Sequence, residues 1–175
     1  GNSMMATVDR LNGENEMRKL GFCLPSVYQL LPAPNEFFPG GRSYPANFDI
    51  YNASEWRIPE IQQKYLDGAR ELQKALAGSD PQRPINVIAG ANIDTMVDVN
   101  LLFDGDVPHL QPVRQAVGAD SGDGTVPLWS AVLPAAKTYY TQVVHRELPG
   151  NNAVMRATLD LIRSGNCDLP ETLPA

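Results

Sequence analysis

At 175 residues, with 43% hydrophobic content, the chain carries enough apolar material for one sizeable core and reads most simply as a single domain over 1–175. Its 20 acidic against 14 basic residues, a net charge of −6, exclude a phosphate-backbone ligand, since such binders concentrate Lys and Arg, so nucleic acid is not an expected partner. No apolar run approaches the roughly 20 residues of a membrane-spanning helix, so no transmembrane segment is expected.

In chain order, residues 4–12 place Met4 or Met5, Val8 and Leu11 at helical spacing before Gly13, which predicts a short helix with a glycine stop. The following ENEMRKLGFC is polar and then mixed, with no clear period. From 24 to 58 the prolines and the Gly40-Gly41 pair break any long element. One turn of helix around Val27 to Leu31, followed by an irregular, cap-like excursion, is expected there.

Regular patterning begins after Pro59. Ile61, Tyr65, Ala69, Leu72 and Leu76 recur every three or four residues before Gly78, the pattern of an amphipathic helix. Next, Ile85, Val87, Ile88 and Ala89 form a short apolar run suited to a strand buried on both faces, as in a parallel sheet. A helix leading into a buried strand predicts α/β layering. Residues 96–103 fit either a strand or an extended arm, and His109 falls in a proline-flanked loop. TYYTQVVH, residues 138–145, is rich in β-branched and aromatic residues and predicts a strand ending at His145. The last helix is capped by Asn151 or Asn152, buries Val154, Met155, Thr158, Leu161 and Ile162, and stops at Gly165.

Chemistry concentrates in GADSGDGTVPLWSA, residues 118–131. Glycines on either side of Asp123 let a tight turn aim its carboxylate in a fixed direction. In open α/β sheets ligands bind beyond the carboxyl ends of strands, so the turn after the Ile85 strand and the end of the Tyr140 strand are expected to share a cleft. A carboxylate bonded to an imidazole fixes its tautomer and stabilises the cation formed when the other ring nitrogen takes a proton. Asp123 before His145 also follows the chain order of hydrolase triads. Asp120 and Asp123 lack the alternating oxygen ligands and terminal Glu of a calcium loop, and Cys23 and Cys167 are too few for a metal cluster. Neither a metal nor a cofactor is expected.

Four segments, PSVYQLLP at 25–32, INVIAGANIDT at 85–95, SGDGTVP at 121–127 and VVHRELPGN at 143–151, together resemble the C-terminal half of an α/β-hydrolase of the lecithin:cholesterol acyltransferase-like group. The resemblance implies a partial α/β-hydrolase fold, with Asp123 as triad acid and His145 as triad base. It also implies that Tyr28, Leu30 and Leu31 line part of an acyl-chain pocket and that the substrate is an ester or acyl lipid. The family's nucleophilic serine sits on a G-x-S-x-G elbow, and no such pentapeptide occurs in the chain. The nearest, Gly1-Asn2-Ser3-Met4-Met5, ends in Met where helix-to-strand packing wants a small residue; Ser121 and Ser130 lack the elbow context altogether. The expectation is therefore the C-terminal part of one hydrolase domain, inactive alone, whose exposed sheet edge is covered by the missing N-terminal half or by self-association. The alternative is a hydrolase-derived binding or assembly module without catalysis.

Overall fold

The computed structural model describes residues 14–34, 36–37, 48–78, 84–105, 107–133 and 136–174. The helix expected over 4–12 lies outside them. The described residues form a mixed helix-and-strand structure with two small sheets, compatible with an α/β class, and they group into two compact units.

The first unit contains the helices α1 (Glu14–Cys23), α2 (Pro25–Tyr28), α3 (Ala53–Trp56) and α4 (Gln63–Ala77), together with residues 103–109. Pro25 opens α2 at a position where its missing N–H costs nothing. α4 ends at Gly78 as the spacing predicts, but its fully buried face is Leu66 and Ala69, while Leu76 is exposed. The apolar stripe is thus rotated from the expected one. α4 meets its neighbours through hydrogen bonds, such as Gln73 Nε2 to Leu31 O, as well as apolar contacts. Tyr28 Oη donates to Phe22 O (2.9 Å) and accepts from Gln62 N (3.2 Å), and its ring lies 5.3 Å from that of Tyr65. Phe48, Ile50 and Tyr51 complete the buried set. Tyr51 Oη donates to Pro32 O at 2.8 Å, and burial pushes its phenol up to about 12.

The second unit is built on a parallel pair, β1 (Asn86–Gly90) against β4 (Lys137–Thr141), with Asn86 opposite Lys137 and Gly90 opposite Thr141. Parallel pairing agrees with the apolar run at 85–89, but the strand is not buried on both faces as expected: Ile85 is exposed and Ile88 borders an open groove. Between the two strands in the chain come β2 (Thr95–Asp104) and β3 (Val107–Gln115), of which residues 103–109 group with the first unit, then a 3-10 turn at Gly118–Asp120 and the short helix α5 (Leu128–Ala131). β2 settles the two options for residues 96–103 in favour of a strand. β3 places His109 in a strand and corrects the loop expected there. Its prolines at 108 and 112 lack an N–H, which a strand with an open edge tolerates and a central strand does not.

The strand expected over 138–145 stops at Thr141, because β1 ends at Gly90 and β4 then has no ladder partner to follow. Residues 142–144 continue without pairing and His145 opens a 3-10 segment, His145–Gly150. One face of the pair packs Ala89 and Ala91 against Leu128, with Val87, Tyr140 and Leu173 closing around them. On the other face Asn86 and Ile88 border an open groove of about 570 Å³, shared with Leu148, Val154 and Leu161. The last helix, α6 (Asn152–Ser164), takes Asn151 as its cap and Gly165 as its stop. It buries Val154 and Ala157 and leaves Met155, Thr158 and Ile162 exposed, a narrower face than its spacing suggests.

The two edges of the pair differ. Along β4, Tyr140 N donates to Pro170 O (2.8 Å), and Lys137 Nζ meets Glu171 at 2.6 Å, so the C-terminal tail covers that side. Along β1, the outward-facing backbone groups of Asn86, Ile88 and Gly90 have no partner among the described residues. No helix among the described residues is long and apolar enough to cross a membrane.

Asn151 Oδ1 accepts from both Ala153 N (3.0 Å) and Val154 N (3.2 Å). Asn151→Ala is expected to lower the stability of this unit by about 1 kcal/mol, read from the urea midpoint.

Candidate functional site

Asp123 is 5% exposed and its carboxylate is engaged from two sides. Oδ1 accepts from Thr125 N (3.0 Å) and Val126 N (2.7 Å), the Asx pattern that the sequence around it favours. Oδ2 lies 2.8 Å from His145 Nδ1. The backbones are joined as well, His145 N donating to Asp123 O at 2.8 Å. Two residues separated by the whole of α5 and β4 are therefore locked together through both main chain and side chain.

What allows this approach is the last residue of β1. A Cβ on Gly90 would overlap Asp123 Cβ and stand 2.7 Å from Val143 O, so glycine at the strand end leaves room for the acid-bearing turn and for the segment leading to His145. Gly124 holds φ at 89°, a left-handed value that lets the chain fold back so that Val126 N reaches the carboxylate. Further back, Ser121 is wholly buried: its Oγ donates to Gly118 O (2.6 Å) and accepts from Asn92 N (2.9 Å). Asn92, in a left-handed conformation, accepts from Gly118 N through Oδ1 (2.9 Å) and donates to Pro174 O through Nδ2 (2.9 Å).

The His145 side chain is 50% exposed, in contrast to its partner. A carboxylate can only accept, so Nδ1 carries the proton of this bond, and in the neutral ring Nε2 keeps a lone pair. Nε2 has no hydrogen-bond partner among the described residues. The chemical capacity of such a pair is that of a general base whose imidazolium is stabilised by a buried carboxylate. Among the described residues no group of three or more His, Cys, Asp or Glu is arranged to hold a metal ion.

The other residues singled out from the sequence lie in the first unit. Tyr28 is buried with its hydroxyl committed to Phe22 and Gln62; Leu30 is 85% exposed, and Leu31 is half-buried with its carbonyl accepting from Gln73 Nε2 at 3.2 Å. Ser121 is occupied by the turn network above, and Ser130 is exposed on α5. Asn92 and Thr95, small polar residues that brace the acid-bearing turn, are not identified by sequence reasoning, whereas Ser121 is a turn residue as its sequence context suggests. The signal for the first two is the clustering of amide and hydroxyl side chains directly after Gly90, where turns draw on such groups.

The chain matches no family model, no curated protein and no solved structure.

Gly90→Ala is expected to destabilise the second unit by about 1–3 kcal/mol, since backbone and Asp123 must both shift to admit a methyl group. The change should register in the Trp129 fluorescence transition in urea.

Proposed function

We propose that this chain supplies the acid and the base of a Ser-His-Asp triad in a serine hydrolase or acyltransferase of α/β-hydrolase type, acting on ester or acyl-lipid substrates. The observation that carries the reading is the buried Asp123 carboxylate bonded at 2.8 Å to Nδ1 of a half-exposed His145. A buried aspartate that only shaped its own turn would need Thr125 N and Val126 N and no imidazole. The parallel β1–β4 pair adds support, since Asp123 abuts Gly90 at the carboxyl end of β1, where open α/β sheets place their ligands.

In the proposed mechanism His145 Nε2 accepts the proton of a serine hydroxyl as the serine attacks the carbonyl carbon, and returns it to the leaving alkoxide. Asp123 Oδ2 stabilises the transient imidazolium through Nδ1–H without itself becoming protonated. The serine and the oxyanion donors come from a separate segment or chain. The unpaired outer edge of β1 favours that arrangement, because an added strand would satisfy Asn86, Ile88 and Gly90 and cover the apolar groove beside them.

The test is hydrolysis of a p-nitrophenyl ester by this chain alone and by this chain combined with an α/β-hydrolase N-terminal half carrying a serine elbow. Turnover is expected only in the combination, with His145→Ala and Asp123→Asn each lowering kcat by on the order of 10⁴-fold. Equal rates for those variants and the native chain would refute the reading. So would fluorophosphonate labelling of this chain itself, which would mean that it carries a nucleophile of its own.

A further inference from the structure

The geometry points to Thr95, the first residue of β2, as the positioning residue that sets the direction of the Asp123 carboxylate. The inference rests on the acid–base reading of Asp123 and His145 and adds to it the element that holds the pair in register.

Thr95 is 0% exposed and its hydroxyl is used in both senses. Its proton goes to Ile93 O at 2.7 Å, and its oxygen accepts Gly124 N–H at 2.8 Å. Two residues earlier in the same segment, Ile93 N donates to Gly122 O at 3.1 Å. The segment 93–95 therefore grips the acid-bearing turn on both sides of Asp123, by the carbonyl of the residue before it and by the amide of the residue after it. Fixing both flanking peptides fixes the Cα–Cβ direction of the residue between them.

The methyl group of Thr95 completes the grip. Its Cγ2 would stand 2.9 Å from a Cβ on Gly122, so the methyl fills the space that glycine leaves open. A β-branched side chain is restricted at χ1, and the two hydroxyl bonds together with the methyl contact hold Thr95 in the rotamer that serves all three. The internal Asx bonds shape the turn but cannot orient it against the rest of the unit, since Thr125 N and Val126 N move with it. His145 bonds Asp123 at 2.8 Å, and hydrogen bonds weaken steeply as the donor–acceptor distance and angle depart from ideal values. A turn rotated about the His145 N to Asp123 O bond would keep its own shape and carry Oδ2 out of line with Nδ1.

The experiment uses the 175-residue chain and reads His145 by ¹⁵N and ¹H NMR at a pH where the ring is neutral. The native chain is expected to show a single Nδ1–H tautomer with a low-field Nδ1 proton. Thr95→Val, close in volume but without the hydroxyl, should lose that proton signal and give a mixture of tautomers. Thr95→Ala should do the same, whereas Thr95→Ser, which also lacks the methyl but keeps the hydroxyl, should retain the signal even if it melts at lower temperature. Retention of the single tautomer in Thr95→Val or Thr95→Ala would overturn the inference and leave the acid–base pair standing. Absence of the Nδ1–H tautomer from the native chain would overturn both. Amide exchange at Gly124 in the unaltered chain supplies a second reading that needs no variant: this residue is exposed, so protection of its N–H has to come from the Thr95 oxygen, and exchange at the rate of an unstructured amide would sink the assignment.

Discussion

A carboxylate removed from water has to be given back the hydrogen bonds that water supplied, and the second unit of this protein is organised around that requirement. Asp123 meets it with two amides of its own turn and one imbalance, an oxygen left over for His145. Everything nearby follows from bringing those groups to one place. Gly90 ends β1 without a side chain so that the turn can close on it; Gly124 reverses the chain so that Val126 N arrives at Oδ1; and the ladder with β4 stops where the chain must leave the sheet to deliver His145.

The arrangement has a division of labour between its two members. The aspartate is enclosed and multiply bonded, so its position is set by the fold. The histidine is tied at Nδ1 and at its own backbone N–H, while its side chain stays half-exposed. One group is therefore rigid and sheltered, and the other is oriented yet reachable. In the proposed hydrolase, that asymmetry separates the group that stabilises charge from the group that carries the proton. The first unit is held differently, by aromatic contacts and side chains reaching main-chain carbonyls, as in Trp56 Nε1 to Ile50 O at 3.0 Å and Gln63 Nε2 to Tyr51 O at 2.9 Å.

Much of this was legible in the amino-acid sequence, and the exceptions share a cause. Glycines flanking an aspartate, followed by an apolar run, announce a tight turn with an aimed side chain, and a β-rich segment closing on histidine announces where the second group emerges. The long helix and the last helix could be located from their period and their glycine stops. Their buried faces could not, because the width and rotation of a buried stripe depend on what packs against it: Leu66 and Ala69, Val154 and Ala157 are chosen by neighbours rather than by spacing. α1 was hidden by the weak apolar period of ENEMRKLGFC, and β3 by prolines that count against a strand unless it has an open edge. The early end of β4 was hidden for a similar reason, since Val143 and Val144 favour strand locally but β1 supplies no partner beyond Gly90. Local propensity is readable from one segment, and pairing is not.

The parallel ladder joins residue 86 to residue 137, so β1 and β4 meet only after the entire intervening stretch, with β2, β3 and the acid-bearing turn, has looped back. Closing a loop of that span is entropically uphill before any ladder bond forms to offset it, and contacts between distant parts of a chain are the slow ones to assemble. During that interval Ile85, Val87 and Ile88 sit on an unsheltered edge, the kind of surface that captures other nascent chains. The same long connection that carries the acid-bearing turn thus makes synthesis and refolding the moments at which the apolar residues of β1 are most exposed to wrong pairing.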